Sequence, residues 1–129
     1  HQLQLDGHGK IVASIGDIIG PVAFSTLCAE EKTIKSDIGK KISDAFKKSK
    51  KWVQNSDSMD VAKSVHSYFN DFELDSVSNA IKDYQKLGTW DSDTKISDIE
   101  YQKAIEVFQF SNLISKNYSK DDVVLYSED

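Results

Sequence analysis

Arginine is absent from this sequence of 129 residues, so all 16 of its basic residues are lysines. Planar, bidentate clamping of sulfonate, carboxylate or phosphate is chiefly arginine's work, so no such clamp is available. With a net charge of −5 as well, the chain is a poor partner for nucleic acid. The one cysteine, Cys28, excludes an internal disulfide. It lies in an apolar run, where a small buried hydrophobe is expected and no basic neighbour activates the thiol. Proline occurs once, at Pro21. No apolar run approaches the roughly 20 residues needed to span a bilayer. Internal repeats and low-complexity tracts are missing too. The sequence opens on His1 and shows no export signal, which predicts either a segment of a longer protein or a chain from which preceding residues have been removed. At this length a chain buries about two-thirds of its unfolded surface, enough for a core.

Several motifs raise chemistry and then withdraw it. Gly7-His8-Gly9-Lys10 is not a phosphate loop, because the glycine spacing is wrong and Ile11 follows the lysine. His8 has no further ligand at a useful spacing. Asp91-Ser92-Asp93-Thr94-Lys95 begins like a calcium loop, but Lys95, Ile96 and Gln102 stand where a ligand, glycine and glutamate are needed. It reads as a turn. His66 sits beside an apolar stripe and reads as structural. The pairs Lys40-Lys41, Lys47-Lys48 and Lys50-Lys51 fall on the polar side of a helix and read as a solvated face. No Ser-His-Asp set, metal cluster or carboxylate pair in an apolar setting emerges. The expectation is no enzyme, no metal and no cofactor.

The organising stretch is Gly16 to Asn55. A glycine-bracketed loop (Gly16 to Pro21) leads into an apolar run from Val22 to Ala29, too short for a helix and read as a buried strand. From Ser36, which the pattern makes the N-cap, Ile38, Ile42, Ala45, Phe46, Ser49, Trp52 and Val53 recur at helical spacing. Ile11 to Ser14 is a second short strand. Three more amphipathic helices follow: one with Met59, Ala62, Val65 and Phe69, and one with Val77, Ala80, Ile81 and Tyr84 that ends at Gly88. The third opens at the capping box Ser97-Asp98-Ile99-Glu100. Trp90 is expected against a helix. The pattern predicts a helix-dominated α/β chain of short strands and four or five amphipathic helices. Its expected core is Phe24, Leu27, Ile42, Phe46, Val53, Val65, Ile81, Tyr84, Ile105 and Phe108.

These same residues carry a resemblance. GKIVASIGDIIGPVAFSTLCAEEKTIKS, then the helix with Ala45 and KKWVQN, resembles the solute-binding components of ABC importers for nitrate, sulfonate, taurine and thiamine-pyrimidine precursors. Ile81-Lys82-Asp83-Tyr84, Gly88-Thr89-Trp90, Ile96-Ser97 and Tyr118-Ser119-Lys120-Asp121-Asp122-Val123-Val124 continue it in order. It covers nearly the whole chain but under half of such a protein. Asp37 and Ala23 stand where that group often has proline.

The resemblance implies a C-terminal segment of a two-lobed protein of the type 2 periplasmic-binding-protein fold, with strands and a hinge-proximal loop in residues 1–30 and a helical part in 31–129. It implies an extracytoplasmic, lipoprotein-anchored bacterial transport component, with its signal and anchor upstream. Its partners would be a small solute and an ABC permease. An isolated segment would associate with a second copy. Gly20, Pro21, Phe24 and Ser25, where the glycine-bracketed loop runs into the Val22–Ala29 strand, would approach the ligand. Two alternatives stay open: a free-standing helical interaction module, and a fragment of an enzyme like the thiamine-pyrimidine synthases.

Overall fold

A computed structural model describes residues 1–90 and 94–126. Its elements are α1 (Gln2–Leu5), α2 (Ile15–Ile19), α3 (Glu31–Ile34), α4 (Asp37–Asn55) and α5 (Ser58–Val65), which a 3₁₀ turn (His66–Tyr68) extends. After these come α6 (Leu74–Lys86), α7 (Asp98–Phe110) and α8 (Lys120–Val123). Among the described residues there is no strand, so the α/β expectation and the type 2 periplasmic-binding-protein fold are overturned. A strand exists only where a second strand takes up its N–H and C=O groups. Neither 11–14 nor 22–29 has such a neighbour. The N–H of Ala23 donates instead to a helix carbonyl, that of Glu100, at 3.3 Å. Cys28, expected inside a strand, is exposed. The loop expected from Gly16 also differs. One helical turn forms there, with the Ser14 hydroxyl accepting from the N–H of Asp17 at 3.3 Å, and Gly20 at φ 71° follows it.

The chain divides into two compact units, His1–Ile18 with Lys48–Ser92, and Ile19–Lys47 with Asp93–Asp129. In the first, α5 packs on α6 around Val61, Ala62, Val77 and Ile81, with Val53, Val65, Leu74 and Trp90 partly buried against them. Buried Ser76 and Ser78 keep α6 slim, and the Ser58 and Ser78 hydroxyls meet at 3.1 Å. The helix breaks follow local chemistry. Asp57 caps α5 by accepting from Met59 N at 2.9 Å. The Gln85 amide donates to the carbonyls of Val53 (2.6 Å) and Ser56 (2.9 Å), which the end of α4 leaves open. Gly88, at φ 69°, stops α6, and Trp90 lies 5.7 Å from Tyr84 between ring centres. His66 bonds the Phe72 carbonyl at 2.9 Å, in keeping with a structural histidine.

In the second unit the Ser97 capping box forms in full, with Ser97 Oγ accepting from Glu100 N and the Glu100 carboxylate accepting from Ser97 N. Ala104 and Ile105 are buried. Asn112, at φ 56°, ends α7, and Leu113 N reaches back to the Phe108 carbonyl at 2.9 Å. The tail is pinned by Tyr126, whose hydroxyl bridges the N–H (3.1 Å) and C=O (3.2 Å) of Ile96. Lys120 pairs with Asp98.

The expected core forms in part. Ile81 and Ile105 are buried, and Val53, Val65 and Phe108 half-buried. Phe24, Leu27, Ile42, Phe46 and Tyr84 are exposed. Periodicity states which residues share a helix face. It does not state what covers that face. Among the described residues no helix is long and apolar enough to cross a membrane. Residues 91–93 of the calcium-like turn, and the acidic end 127–129, lie outside the described residues.

Candidate functional site

The loop that the sequence nominates lies along α7 within the second unit. Gly20 takes φ 71°, a conformation that favours glycine. A Cβ there would stand 3.2 Å from Lys103 Nζ. That ammonium donates to the Ile19 carbonyl at 2.8 Å. Three residues on, Ala23 N donates to the carbonyl of Glu100. Phe24 meets Phe108 edge-to-face at 6.0 Å between ring centres, an arrangement the ring quadrupoles favour. The loop is therefore held by one helix, at Glu100, Lys103 and Phe108. Phe24 nevertheless remains 53% exposed. Pro21 and Ser25 are exposed as well.

So the structure brings Gly20 and Phe24 onto α7 and leaves Pro21 and Ser25 on the outside. Sequence reasoning missed Lys103 as the residue that fixes the loop. Its signal was present: Glu100 and Lys103 are three residues apart and Lys103 and Val107 four, so the three share a helix face. A lysine on that face can reach a carbonyl across it.

Chemically the site offers a half-exposed aromatic ring, a hydroxyl and one lysine already engaged with a backbone carbonyl. A shallow depression on the same helix is lined by Asp98, Ile99, Gln102, Lys103 and Glu106. Among the described residues no three His, Cys, Asp or Glu side chains gather as metal ligands would. Glu31 and Lys120 depart from their ordinary titration, both through surface ion pairs. The hydrogen bond from Lys35 lowers the Glu31 pKa, and the hydrogen bond to Asp98 raises that of Lys120. Neither touches the loop.

No family model matches the chain, and no solved structure does. It is 26% identical over 120 residues to a protein of Bacillus subtilis (strain 168) named "Putative binding protein YtlA". The match takes in 92% of this chain and 36% of that protein. The chain thus spans little more than a third of that relative's length, and what it resembles there is a binding protein.

Proposed function

We propose that this chain is part of the extracytoplasmic solute-binding component of an ABC importer. The solute is a small organic or inorganic molecule of the sulfonate, nitrate, taurine or thiamine-pyrimidine-precursor type. The observation that carries this reading is the collinear match of nearly the whole chain to a binding protein, with the ordered motifs from Gly9 to Val124 beside it. On this reading the component binds without catalysis and is held at the membrane by a lipid anchor. It delivers its solute to a permease, and the chain on its own self-associates. The loop on α7 supports a ligand-facing role for Phe24, because the ring is held by its edge-to-face contact with Phe108 and yet stays exposed.

The test is calorimetric titration of the longer protein that carries this chain against a panel of these solutes. Binding of one of them, weakened by Phe24→Ala and Ser25→Ala, is the expected result. A panel that yields no binding overturns it. A second reading, a helical interaction module, is favoured by the helices themselves, since Ile38, Ile42 and Trp52 of α4 and Ile99 and Phe110 of α7 face solvent. Retrieval of a protein partner by the longer chain, with no solute bound, would select that reading.

A further inference from the structure

Helix α4 leaves outside most of the side that its sequence pattern suggests is buried. Its half-buried positions Gly39, Ser43, Lys47, Lys50, Val53 and Gln54 form a seam at helical spacing in which every residue but Val53 is small or polar. Most of its apolar stripe, Ile38, Ile42, Ala45, Ser49 and Trp52, lies on another side of the same helix and is exposed, and of the stripe only Val53 reaches the seam. Ile42 is 50% exposed and Trp52 46%. Lys41 and Lys48 border this stripe on the Trp52 side, with Lys51 and Lys40 beyond them. None of these four has an ion pair among the described residues. The helix holds six lysines against Asp37 and Asp44, although the whole chain is acidic.

We propose that the exposed face of α4 docks on an anionic lipid surface, the helix lying flat in the headgroup region. The observations favour lipid over an acidic protein. Protein interfaces enrich arginine and deplete lysine, and this chain has lysine alone. Lysine's long stem lets it lie beside buried apolar groups while its ammonium stays among headgroups. A tryptophan at the border between the apolar stripe and the lysines is placed as in interfacial helices. The helix is about 28 Å long, and its stripe is narrow and flanked by charge, which suits lying on a bilayer rather than crossing one. Attraction at such a surface grows with each lysine and weakens with salt. The inference stands apart from the solute-binding reading, and either can fail alone.

The experiment is co-sedimentation of the chain with vesicles made of equal parts phosphatidylglycerol and phosphatidylcholine, against vesicles of phosphatidylcholine only. A Trp90→Phe variant reports insertion through a blue shift of Trp52 emission. The expected result is binding to the anionic vesicles that added salt reverses, with little binding to neutral ones. Ile42→Asp and the pair Lys41→Glu/Lys48→Glu should each weaken it about tenfold or more, with unchanged circular dichroism. All these positions are exposed, and the charge pair serves as the readout if Ile42→Asp misfolds. Three outcomes overturn the proposal: no anionic-vesicle binding, equal binding to neutral vesicles, or folded variants that bind like the parent. Light scattering that shows a dimer dissolved by Ile42→Asp, in a chain that leaves vesicles untouched, would assign the face to a second copy instead.

Discussion

Gly39 lies in the first turn of α4, where replacing glycine by alanine normally gains up to about 1 kcal/mol through helix propensity. Here the sign should reverse. A Cβ at Gly39 would run into the backbone carbonyls of Thr33 and Ile34 in the turn before it. That turn is held by the Ser36 hydroxyl, which donates to Thr33 C=O at 2.7 Å and accepts from Gly39 N at 3.3 Å. Gly39→Ala should therefore lose roughly 1–3 kcal/mol, read as a lower urea midpoint, and a raised midpoint would refute the contact. Ser36 as a cap was legible in the sequence. The need for glycine three residues later was not, because it depends on how closely two turns approach. Lys120 gives a second test at this scale. Its pKa is raised by the hydrogen bond to Asp98, so its contribution is fully present below the ordinary lysine value and is lost as pH rises through the raised one. The stability gap between the parent and Lys120→Met should stay level from neutral pH into mild alkali and close only above the usual lysine range. A gap that closes near neutrality contradicts the assignment.

Helix α7 shows how far an element can be read before any fold is known. Its capping box needs only Ser97 and Glu100, three residues apart, and both hydrogen bonds form. Ser97→Ala should cost about 1 kcal/mol, within a range of roughly 0.5–2. The loss should shrink when Glu100→Ala is already present, because each side chain serves the other's backbone. A double-mutant cycle in urea measures this, and strict additivity would argue that the box contributes nothing as a unit. The strands were misread for the opposite reason. Val22 to Ala29 has the composition of a strand, but pairing is a property of two segments, and among the described residues the run makes one backbone bond to another segment, from Ala23 N to Glu100 C=O. The turn of α2 escaped notice because Gly16 and Gly20 suggested a loop, whereas Ser14 caps a turn and only Gly20 has the left-handed conformation. The α7 contacts of Gly20 and Phe24 join residues far apart in sequence, so the loop's residues were legible and their seat was not.

Among the described residues the large apolar side chains on the outside outnumber those within, and this decides which substitutions matter. With no arginine, and with the α7 lysine beside the loop, Lys103, already bonded to Ile19 C=O, this chain alone should bind no sulfonate or nitrate in the low-micromolar range by calorimetry. Such binding would show that the loop and α7 suffice as a site. The face of each helix was readable from sequence, yet Ile42 and Ile81, both on apolar stripes, have opposite fates. Ile81 is 8% exposed and belongs to the cluster with Val61, Ala62 and Val77. Ile42 belongs to the uncovered side of α4. Deleting the Ile81 side chain leaves a cavity bounded by α5, so Ile81→Ala should cost roughly 2–5 kcal/mol. That is a large share of the roughly 5–15 kcal/mol that holds a domain folded. Ile42→Ala removes surface that water already reaches and should change stability by about 0.5 kcal/mol or less. Urea titrations of the two variants beside the parent measure the contrast. Equal losses would mean that the α4 stripe is covered in solution, by a second copy or by a rearranged chain, and that its exposure does not describe the free molecule.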